Sequence, residues 1–384
     1  MRIRLLASFL TVVLLPLSFG LAQTVANLDS IPARMHDVIV ANEVPGVVTG
    51  VATRDSVLRM DAQGWADPMH KSIMRVDSIF WIASMSKPIT ATAVLMLMEE
   101  GKISLDDPIA KYIPELAGLK TADGKTQRIT LRHLLTHTSG MGEATDEEAK
   151  ASRTLSDLVP AFASKPLAFE PGRKWKYCQS GILTLGRIVE IVSGEPFEVF
   201  LRKRIFDPLG MKDTTFYLSE AQMPRWVIPV KREGELLVPA EIGLLYGHPP
   251  TWSDHYPASN GGLFSTAPDY MRFAQMLLNG GMLDGRRYLT TESVRMMSTV
   301  QTGDLVTGFT PGNGWGLGVC IVRYPQGVTE MLSPGTFGHG GAFGTQAWID
   351  MNRGVALVMM IQRSNFKNGD DSPVRLAFQK AALE

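Results

Sequence analysis

The chain has 384 residues, of which 45% are hydrophobic, and its 38 basic and 38 acidic residues give a formal net charge of zero. This length allows a large hydrophobic core, so we expect a globular protein. The balanced charge, with no basic stripe or basic tail, argues against nucleic acid as a partner.

The N-terminus has the pattern of a cleavable export signal. Two arginines stand among the first four residues, an apolar run follows, and small residues precede Gln23. We therefore predict a signal peptide at residues 1–22 and a secreted or periplasmic protein. A membrane anchor is the alternative, but the apolar run is short and contains Pro16. No stable membrane insertion is expected after cleavage.

The pattern of apolar and polar residues then predicts strands near both ends of the chain and helices between them. Helices are predicted at residues 26–42, 88–98, 182–192 and 371–382. Strands are predicted at residues 47–53, 56–65, 316–322, 346–350 and 355–361, with a turn at 352–354. The helix at 88–98 has no charge and almost no polar face, so we expect it to be buried.

Strands at both ends around a helical middle imply two domains. We assign residues 23–114 and 251–384 to one discontinuous α/β domain. The middle stretch, residues 115–250, has helical signals separated by loops with proline and glycine, and we assign it to a mainly helical domain.

Ser84 is followed three residues later by Lys87, at the start of the uncharged helix. Residues three apart share one face of a helix, so the two side chains can meet. A neutral lysine can accept the serine proton, and burial at a helix start favours the neutral form. The bland alternative is that Ser84 caps the helix and Lys87 is solvated.

Two further segments decide between these alternatives. One runs from Pro171 to Gly181 and contains Tyr177, and the other is Phe337-Gly338-His339-Gly340-Gly341-Ala342-Phe343-Gly344-Thr345. In order and spacing the three segments resemble the motifs of the serine β-lactamase and penicillin-binding-protein superfamily, which are S-x-x-K, Y-x-N and K-T-G or H-x-G. Residues 105–108, 134–140 and 261–267 resemble its class C β-lactamase-like branch.

The resemblance covers residues from about 30 to about 365 and implies a β-lactamase-like α/β fold, with an antiparallel sheet flanked by helices and the site beside the helical domain. It implies that Ser84 is the nucleophile and Lys87 its activating partner. Tyr177 would help to move the proton between nucleophile and leaving group, and the backbone N–H groups of Ser84 and Ala342 would form the oxyanion hole. Gln179 stands where the motif has asparagine and is expected to orient Lys87 or a substrate carbonyl.

The third motif departs from that of the β-lactamases. His339 stands in place of lysine, and Gly340 and Gly341 stand in place of threonine and glycine. Histidine is mostly neutral at pH 7 and glycine has no hydroxyl, so binding of a substrate carboxylate should be weakened. We expect the glycines to let a substrate lie close to the strand backbone. H-G-G resembles β-lactamase-like carboxylesterases, whereas H-x-G also occurs in some D-alanyl-D-alanine carboxypeptidases.

Other features of the sequence are weaker. His133 and His137 have the spacing of zinc ligands but lack the accompanying glutamate, so we expect structural histidines and neither metal nor cofactor. Ser139 lacks the glycine that an α/β-hydrolase elbow requires. A link between Cys178 and Cys320 could distort the site beside Tyr177, so we expect two buried thiols and not a disulfide.

The segment from Met223 to Pro257 could form one wall of an apolar substrate pocket or be an ordinary packed loop. Its apolar and aromatic candidates are Trp226, Leu244, Leu245, Tyr246, Trp252 and Tyr256.

The leading interpretation is a secreted serine hydrolase that cleaves carboxylic esters with short or medium acyl groups through an acyl-enzyme. The alternative is amide chemistry, as a D-amino-acid peptidase, a D-alanyl-D-alanine carboxypeptidase or a weak β-lactamase. A third possibility is a penicillin-binding module that acylates without turnover. The expected partner is a small-molecule ester or amide, and nothing in the sequence indicates an oligomeric state.

Overall fold

The computed structural model describes residues 28–308, 310–366 and 372–384. The predicted signal peptide, residues 1–22, lies outside the described residues and stays a prediction. In the part of the chain that the structure describes, every helix is too short or too polar to cross a membrane.

An antiparallel sheet of eight strands organises the fold. In chain order, the strands of the described residues are β1 (Gly46–Thr53), β2 (Val57–Asp67), β3 (Ser72–Ile73), β4 (Phe80–Trp81), β5 (Val230–Glu233), β6 (Leu236–Pro239), β7 (Phe264–Ser265), β8 (Met282–Leu283), β9 (Arg286–Arg287), β10 (Asn313–Trp315), β11 (Cys320–Val322), β12 (Phe337–Gly340), β13 (Gln346–Asp350) and β14 (Val355–Met360). The large sheet has the order β10-β11-β12-β13-β14-β1-β2-β3. The other strands form the pairs β4–β7, β5–β6 and β8–β9.

Strand β1 shows why the two ends of the chain meet. It is buried on both faces and lies between β2 and β14, with Val48 opposite Met360. Its valines alternate between two cores, because successive side chains of a strand point to opposite faces. Val47 packs with helices from the chain termini, whereas Val48 belongs to the larger core on the other face. The predicted strands at 47–53, 56–65, 346–350 and 355–361 are confirmed to within two residues.

Helices cover both faces of the sheet. The α-helices of the described residues are α1 (Ser30–Val40), α2 (Ser86–Glu99), α3 (Leu131–Leu135), α4 (Asp146–Ala151), α5 (Val159–Ala163), α6 (Gln179–Ser193), α7 (Phe197–Leu201), α8 (Asp207–Leu209), α9 (Ala267–Leu278), α10 (Thr291–Met297) and α11 (Pro373–Leu383). Helices α1 and α11 contact each other on one face, and α9 packs on β1, β13 and β14. Every residue of α2 from Ser86 to Leu97 is buried, which confirms the predicted buried helix.

The prediction of one strand at residues 316–322 is wrong. The segment turns at Gly318, which has φ +73°, and only residues 320–322 are a strand, paired with β10. Ala91 of α2 lies so close that a Cβ on Gly318 would be 2.6 Å from the Cβ of Ala91. The apolar run is therefore a tight turn packed on a helix, which a count of apolar residues does not distinguish from a strand.

Helices α3–α8 all lie within residues 115–250, together with the β5–β6 hairpin. The strands of the large sheet lie outside this stretch, in residues 46–73 and 313–360. The exact domain boundaries stay a prediction.

Candidate active site

Ser84 lies in a tight turn that joins a buried strand to a buried helix. Strand β4 ends at Trp81, a 3₁₀ turn occupies Ala83–Met85, and α2 begins at Ser86. Ala83 has φ +45°, an uncommon value for a residue with a side chain. Such a conformation persists where the surroundings determine it, and here the Ser86 hydroxyl donates to Ala83 O at 2.7 Å. The strained turn fixes where the Ser84 hydroxyl stands.

Lys87 is buried, with 0% of its surface exposed, and its amine lies against the serine. Nζ is 2.9 Å from Ser84 Oγ and 2.6 Å from the backbone oxygen of Asn260. Burial lowers the pKa of Lys87 to about 7, and the charge of Glu143 opposes part of that change. The alternative with a solvated lysine and a capping serine is wrong, because Lys87 is buried and the residue at the cap of α2 is Met85.

Tyr177 comes from the second motif, one residue before the Cys178 that caps α6. The Lys87 amine lies 4.7 Å from the centre of the Tyr177 ring, and the Tyr177 hydroxyl lies 3.4 Å from Nε2 of His339. Residues from all three motifs therefore meet in one place, as the sequence predicts.

His339 lies on β12, is only 4% exposed and is held in one tautomer. Its Nδ1 is 2.7 Å from the Gly340 carbonyl, which can only accept, so Nδ1 carries the proton. Burial, and secondarily the nearby charge of Lys87, lowers the pKa of His339 to about 3. The ring is therefore neutral, and Nε2 can accept the hydrogen bond that Tyr177 donates.

The turn between β12 and β13 brings the third motif against the serine turn. Gly341 N–H donates to Thr345 O at 2.7 Å, and a Cβ on Gly341 would stand 2.6 Å from the Ile82 carbonyl, two residues before Ser84. A side chain at residue 341 would therefore collide with the serine turn, whereas the predicted role of the glycines in substrate binding stays a prediction. Gly340 serves the site through its carbonyl, and Ala342 is exposed at the turn.

Gln179 reaches Lys87 only through a neighbour. Its Oε1 accepts a hydrogen bond of 2.9 Å from Nδ2 of Asn260, and the backbone carbonyl of the same asparagine accepts from Lys87. Among the described residues, the Oδ1 atom of Asn260 is buried and lacks a hydrogen-bond donor. Asn260 is not among the predicted site residues, although it directly precedes the 261–267 stretch that carries part of the family resemblance.

Glu143 is a second residue near the site that was not predicted from the sequence. Its carboxylate accepts hydrogen bonds from the backbone N–H groups of Gln179 and Ser180, both at 2.8 Å, and from the Ser180 hydroxyl at 2.6 Å. A carboxylate is favoured at a helix N-terminus, where N–H groups lack partners. The sequence offered one indication of Glu143. It follows, by three residues, Gly140, the last residue of the 134–140 stretch that carries part of the family resemblance.

An apolar cluster adjoins the serine turn, and we call it the Phe343 cluster. Its buried members are Ile79, Trp81, Ala83, Leu218, Ile242, Leu245, Phe264 and Phe343, and Met223, Trp226, Ala240 and Leu244 pack against it. The rings of Trp81 and Phe343 meet edge to face, with centroids 5.3 Å apart. Of the predicted pocket wall, Trp226, Leu244 and Leu245 lie here.

The remaining aromatic candidates lie elsewhere. Tyr256 belongs to the main core and shares a side-chain hydrogen bond with Tyr246, and Trp252 stacks on His248 with ring centroids 4.0 Å apart.

The two histidines with zinc-like spacing have local partners. Nδ1 of His133 accepts from Thr130 N–H at 3.2 Å, and Nδ1 of His137 accepts from Cys178 N–H at 3.1 Å. The described residues contain no group of three side chains able to hold a metal ion. Cys178 and Cys320 are both buried thiols, and burial raises the pKa of Cys178 to about 12.

The sequence and the fold are both similar to those of known proteins. Residues 24–381 match the family described as Beta-lactamase. The chain belongs to the β-lactamase family. Protein Rv1367c of Mycobacterium tuberculosis (strain ATCC 25618 / H37Rv) is 34% identical to this β-lactamase-family protein, over 88% of this chain and 90% of the relative. Esterase EstB of Burkholderia gladioli is 29% identical, over 95% and 97% of the two chains.

The fold is shared with a solved structure, "EstCE1, a hydrolase with promiscuous acyltransferase activity". The TM-score is 0.83 at 22% identity, and the match covers 93% of this chain and 98% of the other. At this identity the likeness shows the fold alone. The predicted β-lactamase-like fold and the membership of a serine hydrolase family are confirmed.

Proposed function

We propose that the protein is a secreted carboxylesterase that cleaves esters of short or medium acyl groups through an acyl-enzyme on Ser84. The observation that carries the choice of ester is the neutral, buried His339 at the place where β-lactamases have lysine. The neutral ring donates its Nδ1–H to the Gly340 carbonyl. It therefore cannot form a charge-assisted hydrogen bond with a substrate carboxylate.

Acylation begins with the proton of Ser84. Lys87 has a pKa of about 7, so a large fraction is neutral at physiological pH and able to accept that proton at 2.9 Å. Ser84 Oγ then attacks the ester carbon, and the N–H groups of Ser84 and Ala342 stabilise the oxyanion. Tyr177, next to Lys87, passes its proton to the leaving alcohol as the C–O bond breaks, and Lys87 returns the serine proton to Tyr177.

Deacylation repeats these steps with water. A water molecule attacks the acyl carbon, its proton passes to the Lys87–Tyr177 pair, and Ser84 Oγ leaves as the proton is returned to it. The acid is released and the site returns to its first state. No residue outside this set has to supply a base.

The Phe343 cluster is the apolar surface beside Ser84 that we expect to contact the acyl group of the substrate. Ala83, directly before Ser84, is a member, and Leu244 packs against the cluster from the 223–257 segment. Burial of an acyl chain here would stabilise the complex by about 0.8 kcal/mol per methylene. The full-length relative named Esterase EstB supports the same choice.

The test is steady-state hydrolysis of p-nitrophenyl acetate and butyrate beside a chromogenic cephalosporin and a D-alanyl-D-alanine peptide. Ser84→Ala is the matched control, because it removes only the hydroxyl. We expect turnover of the esters that depends on Ser84, with little turnover of the other two substrates.

Efficient turnover of the cephalosporin or the peptide would overturn the ester assignment in favour of amide chemistry. A burst without steady-state turnover would indicate a penicillin-binding module. Secretion is tested separately, by N-terminal sequencing of the exported protein, which should begin at Gln23.

A further inference from the structure

His137 has a backbone conformation and a burial that the chemistry described above does not explain. Its φ is +57°, in the left-handed region that a side chain other than Asn, Asp or Gly seldom adopts. It is 0% exposed, and it lies outside both the helix before it and the strands of the sheet. A strained residue that is kept in place by its surroundings points to a function.

The backbone and the ring of His137 hold the two neighbours of Tyr177. The His137 carbonyl accepts from Lys176 N–H at 3.0 Å, and its Nδ1 accepts from Cys178 N–H at 3.1 Å. The left-handed turn lets one residue present both acceptors to the same short segment. Residues 176 and 178 are thereby fixed on either side of the tyrosine.

The His137 ring also packs against the tyrosine itself. Its centroid lies 4.4 Å from that of Tyr177, and the rings are inclined by 38°. Trp315 packs against both rings, with its centroid 5.0 Å from that of His137 and 5.8 Å from that of Tyr177. The phenol can therefore rotate or shift little without displacing a buried ring.

We propose that His137 is a positioning residue for Tyr177: its two acceptors and its ring hold the phenol hydroxyl at the distance from Lys87 and His339 that proton transfer needs. This inference rests on the proposed role of Tyr177. It adds that the proton-transfer geometry is set by a histidine that touches neither substrate nor the reacting atoms.

The proposed role requires a neutral ring. Nδ1 accepts from a backbone N–H, so the single proton of the neutral ring is on Nε2, and a second proton on Nδ1 would break the bond to Cys178. Burial, and after it the charge of Lys87, lowers the pKa of His137 well below its usual value. Among the described residues, Nε2–H lacks an acceptor, so the bond at Nδ1 is what orients the ring.

Two substitutions separate the acceptor from the ring. His137→Asn tolerates the left-handed backbone and places an oxygen near the former Nδ1, so it retains the acceptor and loses the stacking. His137→Gly fits the same backbone and loses both. We expect kcat to fall by about 10- to 100-fold in the glycine variant and by less in the asparagine variant, with KM changed less than threefold.

His133→Asn is the matched control, because the Nδ1 of His133 accepts a backbone N–H in the same way but its ring does not contact Tyr177. It should lower the melting temperature without lowering kcat. Thermal melts of all variants show whether the chain is folded. If the glycine variant does not fold, the kcat of the asparagine variant is compared with that of the wild type instead.

A double-mutant cycle with Tyr177→Phe decides the question. If His137 acts through the phenol hydroxyl, His137→Gly should slow Tyr177→Phe by less than about threefold, although each single change slows the wild type. Independent losses that multiply in the double variant, or wild-type kcat in both His137 variants, would overturn the inference. Wild-type kcat in Tyr177→Phe would instead overturn the role of Tyr177 itself, whatever the His137 variants do.

Discussion

The amine of Lys87 lies 2.6 Å from the backbone carbonyl of Asn260, and this contact orients the base. A carbonyl oxygen only accepts, so one N–H of Lys87 is directed at Asn260. In the neutral amine the second N–H and the lone pair remain for Ser84 Oγ, at 2.9 Å, and the lone pair is what accepts the serine proton. The carbonyl thus holds the amine beside the serine hydroxyl.

The first prediction concerns pH. A base works when it is deprotonated, and burial lowers the pKa of Lys87 to about 7. We therefore expect kcat/KM for p-nitrophenyl butyrate to rise through a midpoint near pH 7 and to level off about one unit above it. Lys87→Ala should lower the plateau by about two to four orders of magnitude. Lys87→Arg should be as poor, because arginine stays protonated.

We also expect the buried Lys87 to lower the free energy of unfolding. Its pKa is about 7 in the folded chain and 10.5 without burial, so the unfolded chain binds more protons between these values. The wild type therefore gains stability as pH rises from 7 towards 10.5. We expect Lys87→Met to melt at a higher temperature than the wild type, with the larger difference at pH 6 and the smaller at pH 9. A difference that grows with pH would contradict the lowered pKa.

Glu143 should tune the base from a distance. Its negative charge raises the pKa of Lys87, opposing the larger effect of burial. Glu143→Gln removes the charge, so the midpoint of the pH profile should move to lower pH. The control is Glu147→Gln, at an exposed residue of α4, which should leave the midpoint unchanged. An unchanged midpoint in Glu143→Gln would exclude this electrostatic role.

Gly341 should be required for the approach of the third motif to Ser84. A Cβ there would meet the Ile82 carbonyl at 2.6 Å and would also meet Thr345 Oγ1, so the turn must move. We expect Gly341→Ala to lower kcat/KM by about tenfold or more and the free energy of unfolding by about 1–3 kcal/mol. Gly118→Ala is the control, since no atom lies within 4 Å of its added Cβ.

Leu244 should help to set the preferred acyl length. Leu244 and Ala83 both lie close to the same point, the position that a Cβ on Gly261 would take. That point is 3.8 Å from Leu244 Cδ1 and 3.6 Å from the carbonyl carbon of Ala83, so Leu244 lies close to the serine turn. Leu244→Ala should shift the preference from butyrate towards longer p-nitrophenyl esters, and Leu244→Trp should shift it towards acetate, each by about fourfold per methylene. Leu236→Ala, at an exposed site 68% accessible, should leave the preference unchanged.

The three motif residues could be predicted because their neighbours in sequence carry the information. Ser84 and Lys87 share one turn, and the order of the three segments indicates the family. Asn260 and Glu143 could not be predicted in this way. They contribute through a backbone carbonyl and through a charge at a helix start, and both contacts exist only after distant segments have packed.

The wrong strand prediction has a similar origin. The 316–322 segment is apolar enough for a strand, but the close approach of Ala91 to Gly318 makes it a turn. Gly341 has a packing role that the sequence does not show, because a Cβ there would meet the carbonyl of Ile82. In each case the reason for a glycine lies in a partner far away in the sequence.

The place of β1 between β2 and β14 has a consequence for biosynthesis. Val48 pairs with Met360, so one edge of this interior strand stays uncovered until β14 has been synthesised. The nucleophile, the tyrosine and the histidine also come from successive thirds of the polypeptide. A ribosome-bound fragment that ends before β12 lacks His339 and should have no hydrolytic activity. Folding that depends on strand pairs so far apart in the sequence should also be slow. The enzyme is thus assembled late, and its catalytic centre is completed only with its final strands.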